Sequence, residues 1–134
     1  MVLKIRKKDL DKILLHARKC YPLEACGILV GVIQGRIRLV WRVFKTRNVL
    51  GSSSAYQIDA EEQFQIFLQA ERDAMEVLGF YHSHPFWQAK PSGVDVSSAH
   101  YPGCSYLIYS VPDDELRSYI WKGDRFVSES VRIV

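Results

Sequence analysis

Apolar residues recur at helical spacing between Lys8 and Cys20. Leu10, Ile13, Leu14 and Ala17 fall on one face, which predicts an amphipathic helix ended by Pro22. Two apolar runs follow, Glu24–Ile33 and Arg36–Phe44, around Gln34-Gly35, and these predict the strands of a hairpin. Lys45–Ser54 is polar, with Asn48, Gly51 and three serines, and predicts a loop; Ala55–Ile58 predicts a short strand. Asp59 and Glu62 have capping-box spacing and open a second helix. That helix is expected to reach about Glu76, with Phe64, Phe67, Leu68, Ala70 and Met75 facing inward. Val77–His84 predicts a strand and Ser92 to about Tyr101 a short helix. Cys104–Val111, Leu116–Trp121 and Phe126–Ile133 predict three further strands. Strands and helices alternate without repeats. The expected fold is α+β (mixed α/β), a curved, mostly antiparallel sheet with helices packed on it.

Composition narrows the picture. The chain has 134 residues, enough for one domain over 1–134 with a sizeable core. A net charge of +3 has no clustered stripe behind it, so no nucleic-acid partner is expected. The densest basic run, Lys4–Lys8, precedes Asp9 and Asp11 and predicts a solvated face. The longest apolar run, Ala25–Ile33, is too short for a bilayer, and the N-terminus lacks the features of a signal peptide, so no membrane is expected. Three cysteines, Cys20, Cys26 and Cys104, form no disulfide framework and suit a reducing, cytoplasmic location. Cys26 and Cys104 are expected as buried hydrophobes. Pro102-Gly103 between His100 and Cys104 predicts a turn, and His16 is expected on a helix surface.

The chemistry concentrates at Gly79-Phe80-Tyr81-His82-Ser83-His84-Pro85. Phe80 and Tyr81 favour a strand, and Pro85 bars a helix. Strand residues two apart face the same way, so His82 and His84 stand side by side, their Cα atoms roughly 6.6 Å apart. Two imidazoles at that spacing can converge on one ion at Zn–N distances of about 2.1 Å; on a helix they would diverge. Ser92-Gly93-Val94-Asp95 reads as a helix start with Ser92 at the cap. A chain crossing from Pro85 to Pro91 can fold back so that Asp95 becomes a third ligand. Two nitrogens and a carboxylate oxygen suit an open hydrolytic zinc site. The competing reading gives Asp95 to the helix dipole and the histidines to core or surface. Glu24 stands at the head of an apolar run, where burial is costly unless the acid has a partner or a task, such as moving a proton. No His-Glu-x-x-His occurs. The zinc deaminase pattern fails as well, because His84 stands where its Glu would be and no Cys-x-x-Cys exists.

Together Glu24, His82, His84, Ser92 and Asp95 resemble the JAMM (MPN-type) zinc metalloprotease family. Its signature is a Glu on an early strand, then His-x-His, ten residues and Asp, with Ser three before the Asp. Here the ten residues are Pro85–Val94, and the flanks Glu24-Ala25-Cys26-Gly27 and His82-Ser83-His84-Pro85 match as well. The resemblance implies a cytidine-deaminase-like α+β architecture. It implies that His82, His84 and Asp95 bind one zinc per chain, that Glu24 is the general acid/base, and that Ser92 helps stabilise an oxyanion. It also implies a metallo(iso)peptidase of the compact prokaryotic kind. Such an enzyme cuts after the C-terminal Gly-Gly of a ubiquitin-like or sulfur-carrier protein of β-grasp fold, joined to a lysine or a small amine. Lys45–Ile58 is the candidate edge for gripping such a tail. Phe86 and Trp87 depart from the small or polar residues expected after His-Pro, and either contact the leaving-group side or pack on a neighbouring loop. Two other classes fit less well. A non-catalytic scaffold of the same fold would not need Glu24, Ser92 and Asp95 intact. A RadC-like DNA-repair protein would call for an additional helical module upstream.

Overall fold

Leu3 and Ile5 are fully buried and alternate with half-buried Val2 and Lys4, which makes Val2–Ile5 a strand, β1. No strand is predicted before Lys8, because four residues interrupted by a lysine are too short for alternation to register. The computed structural model describes residues 1–134. After β1 come α1 (Lys7–Cys20), β2 (Cys26–Gln34), β3 (Ile37–Thr46), α2 (Ala60–Arg72), β4 (Glu76–His84), α3 (Gly93–Ser98), β5 (Ser105–Ser110), β6 (Glu115–Trp121) and β7 (Phe126–Ile133).

The strands form a closed barrel in the order β1-β3-β2-β4-β5-β6-β7, with β7 pairing back to β1. Antiparallel pairing holds for β2 with β3 and β4, and for β6 with β5 and β7. β1 runs parallel to β3 and β7, and β4 runs parallel to β5. Four of the seven pairs are antiparallel, so the curved, mostly antiparallel sheet of the expected α+β fold is present, and it also closes into a barrel with three parallel pairs. Two connections account for the parallel pairs. The β4–β5 link crosses over through α3, as parallel neighbours require, and β1 inserts between strands that would otherwise be edges.

β2 is buried on both faces, which accounts for its near-continuous apolar run. One face joins a core of Leu3, Ile5, Leu29, Val40, Leu78 and Leu107 with Leu10 and Ile13 of α1. The other joins Ile28, Val30, Phe80 and Tyr106 with Ile66 and Ala70 of α2. Along β4 this alternation sends Phe80 to the α2 side and Tyr81 to the α1 side. His16 is half-buried, contrary to the surface position expected, because its Nδ1 lies 2.7 Å from the Tyr81 hydroxyl.

Other boundaries also differ. α2 stops at Arg72, four residues short, where Asp73 and Ala74 turn the chain and Ala74 takes φ 54°. Its inward residues are Ile66 and Ala70, with Phe67 and Leu68 half-buried. Phe64, in the second turn of the helix, is 60% exposed and lines an open groove. α3 is shorter than expected and ends at Ser98. Ala55–Ile58 is not a strand, and only the bridge Asn48–Ile58 forms. Asn48 explains this: its side-chain oxygen accepts from the Leu50 and Gln57 N–H groups, while its amide donates to Ala55 C=O. Donors and an acceptor that a strand would offer to a neighbour are held inside the loop.

Candidate metal centre

His82 and His84 share one face at the C-terminal end of β4, and α3 brings Asp95 to them. The return path is pinned at two points. Ser110 Oγ donates to Trp87 C=O at 2.7 Å, and the Tyr119 hydroxyl donates to Ala89 C=O at 2.8 Å. Ser92 then caps α3 in a reciprocal box. Its Oγ accepts from Asp95 N–H at 3.1 Å, and its own N–H donates to Asp95 Oδ2 at 2.9 Å. Asp95 thus arrives already oriented, 9% exposed.

The three side chains converge closely. His82 Nε2 lies 3.2 Å from His84 Nε2, and the Asp95 carboxylate is 3.2 Å from His82 Nε2 and 3.1 Å from His84 Nε2. Three ligand atoms around a tetrahedral zinc, at bonds of about 2.1 Å, would stand roughly 3.4 Å apart, so the spacing fits such an ion. The chemistry of the donors fits too. His84 Nδ1 donates to Gln88 C=O at 2.7 Å, which leaves the Nε2 lone pair aimed at its neighbours. Two buried imidazole nitrogens facing each other and a carboxylate form an electron-rich cluster that a cation would stabilise. His82, His84 and Asp95 are a group that could hold a metal ion.

Glu24 lies beside this cluster, 3% exposed, and its Oε1 has no hydrogen-bond partner. It stands two residues before β2 rather than on it. The β2–β4 register ends at Cys26–His82, and beyond that pair the side chain of Ser83 takes over. Ser83 Oγ accepts from Ala25 N–H at 2.8 Å while Ser83 N–H donates to Ala25 C=O at 3.0 Å. Glu24 N–H turns away to Ser52 C=O at 2.8 Å, and Glu24 C=O accepts from the Asn48 amide. The residue between the two histidines therefore fixes the segment that carries the acid.

Burial pushes the Glu24 carboxyl up to about 8; nearby His84 opposes the rise and Asp95 adds to it. Burial would also raise Asp95, but His82, His84 and the Ser92 N–H outweigh it and hold this carboxyl far below its usual range. His84 is raised, because hydrogen bonds to Asp95 and Gln88 overcome the burial that would lower it. The signs combine into one expectation for metal-free protein. A carboxyl whose folded pKa is raised disfavours the folded state once pH passes its unfolded value of 4.5, and the loss is complete near 8. His84 acts in the same direction, losing its contribution as pH climbs through its raised folded value. Metal-free stability should fall from pH 5 to pH 8. Glu24→Gln should remove a share on the order of a few kcal/mol of that fall. Denaturant midpoints for both proteins across the range check this, and parallel curves would contradict it.

Tyr56 stacks on His82, ring centroids 4.5 Å apart and planes at 26°. Beyond it runs a groove of about 640 Å³ between the 50–58 segment, α2 and α3, with Phe64, Phe67, Val94 and Tyr101 in its walls and Asp95 on its border. The sequence places Glu24, His82, His84, Ser92 and Asp95 in this neighbourhood, and the structure brings all five together. The sequence does not mark Ser83, Asn48 or the ring of Tyr56 as parts of the site. A small polar residue between two histidines on a buried strand was the available signal for Ser83.

The sequence profile of the prokaryotic homologs of the JAB domain matches residues 6–122. This chain belongs to that family. As a JAB-domain chain it has two well-covered kinds of curated relative. It is 38% identical to a desampylase of Haloferax volcanii over 92% of this chain and 90% of that protein. It is 36% identical to the CysO-cysteine peptidase of Mycobacterium tuberculosis over 99% of this chain and 92% of that protein. The JAB fold is also seen in the solution structure of a Desulfitobacterium hafniense protein, with TM-score 0.90 and 32% identity, covering 98% of this chain and 92% of that one. A crystallised JAB1/MPN domain protein of Archaeoglobus fulgidus, 22% identical with TM-score 0.61, covers 98% of this chain and 96% of that one and shares the fold. No helix is long and apolar enough to cross a membrane.

Proposed function

We propose that this JAB-family chain is a zinc-dependent peptidase. It hydrolyses the amide bond after the C-terminal Gly-Gly of a ubiquitin-like or sulfur-carrier protein, with residues 1–134 as one catalytic unit. One observation carries the reading: His82, His84 and Asp95 converge beside a buried carboxylate, Glu24, that has an oxygen without a partner. The names of the relatives, a desampylase and a peptidase acting on CysO-cysteine, support the substrate class.

His82, His84 and Asp95 would hold the zinc, which when bound supplies Lewis-acid polarisation and an acidified water at its open position. Glu24 takes the proton of the attacking water and delivers it to the departing amine, one residue serving as base and then acid. Burial raises its proton affinity and the charge of the bound cation would offset part of that rise, which suits a carboxyl that takes a proton from water and returns it near neutral pH. Ser92 Oγ already accepts from Asp95 N–H, so its hydroxyl proton is free to donate where negative charge develops on the carbonyl oxygen. Ser92→Ala should retain metal and lose about 10²–10³ in kcat. It should lose only about 1 kcal/mol of stability with the cap. Unchanged kcat would remove Ser92 from the chemistry.

The groove supports the choice of an extended tail. The N–H and C=O of Tyr56 make no backbone hydrogen bond within the chain. An incoming strand could pair there, next to the residue that stacks on His82. Glycines at the scissile end would pass Tyr56 and the narrow metal cluster, where side chains would crowd. The test compares a β-grasp protein fused through Gly-Gly with the same fusion ending in a bulky residue, and with unrelated unfolded proteins. Cleavage of the first alone is expected. Equal cleavage of all would mean a general peptidase.

A further inference from the structure

The groove approaches the metal position past His82 and Asp95; a second surface approaches it past His84. Trp87 lies with its ring centroid 5.8 Å from that of His84, and Phe86 packs against Tyr21 at 5.4 Å with planes at 58°. Phe86 is 61% exposed, Trp87 48% and Tyr21 47%, and Tyr21 lies three residues before Glu24. Ser110 fixes the backbone at Trp87, and Ala89 is buried and held by Tyr119, so the rings are displayed from an anchored loop. Aromatic side chains held open to water beside a buried polar cluster are an unused contact surface.

We propose that Tyr21, Phe86 and Trp87 form the wall that receives the leaving group, and that they select the side chain of a lysine over a small amino acid. This rests on the peptidase reading above and specifies its leaving amine. The reacting amide must sit beside His84, which is 3% exposed, while the rings stand at the rim. A lysine side chain is slim and unbranched, so it can link the buried centre to a protein outside. Its four methylenes would lie along the aromatic rings and leave water. A cysteine joined through its amine would instead set a carboxylate near the rings, whose faces carry negative potential. The hydrolysis balances in either case: water adds to the carbonyl, the C–N bond breaks, and the tail leaves as carboxylate and the partner as amine.

The experiment uses one β-grasp protein with a Gly-Gly terminus in two conjugates, one to the Nε of a lysine within a peptide and one to the amine of free cysteine. Wild-type, Phe86→Ala, Trp87→Ala and the double variant are compared, each loaded with zinc. Wild-type should cleave the lysine conjugate with the higher kcat/KM. The double variant should lose about tenfold on the lysine conjugate, mostly in KM, and less than twofold on the cysteine conjugate. Phe86→Tyr and Trp87→Phe should restore most of the loss. Equal losses on both conjugates, or none on the lysine conjugate, would overturn the inference while leaving the peptidase reading standing. A wild-type protein that cleaves neither conjugate would overturn both.

Discussion

Glu24→Gln is expected to leave the fold and the bound metal in place and to slow turnover by about 10²–10⁴-fold. The glutamine amide has nearly the same shape and can occupy the same pocket, but it can neither take a proton from water nor return one to an amine. Because Glu24 Oε1 has no hydrogen-bond partner, its replacement breaks no contact that the structure depends on. Burial holds the metal-free carboxyl near 8. A divalent cation beside it would pull that value down, toward the range where a base works at neutral pH. The prediction therefore has two readouts, kcat and metal content. Loss of the first with retention of the second is the expected pair, and an active variant would remove Glu24 from the proton path.

His84→Ala and Asp95→Ala are expected to abolish metal retention and reduce cleavage to background. Of the proposed ligands, His84 is oriented by Gln88 C=O and Asp95 by Ser92. Removing either leaves two donors where an open zinc site uses three. The fold should survive both changes, because the two apolar cores do not include these residues. Metal analysis after dialysis, beside a thermal melt of the metal-free proteins, separates loss of the site from loss of the fold. Metal bound at wild-type stoichiometry in both variants would contradict the ligand assignment.

The clustering of the candidate site was legible because its residues are close in sequence or carry rare chemistry. His82 and His84 are two apart on a strand, and Asp95 follows within one crossover, so local geometry suffices to join them. Glu24 stood out as an acid in an apolar run. Its exact neighbourhood was not legible, since it depends on Ser83 reaching Ala25 and Asn48 reaching Glu24, contacts between segments far apart in sequence. The same reason hid the barrel. β1 is four residues long with a lysine inside it, and only its neighbours β3 and β7 make it a strand. Phe64 differs from its expected inward position because helical periodicity marks an apolar face but not whether that face meets core or lines an open groove. The strand expected at Ala55–Ile58 failed because apolar composition does not reveal that Asn48 has taken its hydrogen bonds.

The most direct measurement is intact mass spectrometry on a β-grasp protein joined through Gly-Gly to a lysine-containing peptide, incubated with zinc-loaded protein, with chelated protein and with Glu24→Gln. The account predicts one new species from the zinc-loaded wild-type protein, with its carboxyl terminus at the second glycine and the peptide released as a free amine, and no product from the other two. Cleavage at another bond, or the same product from the chelated protein or from Glu24→Gln, would contradict it.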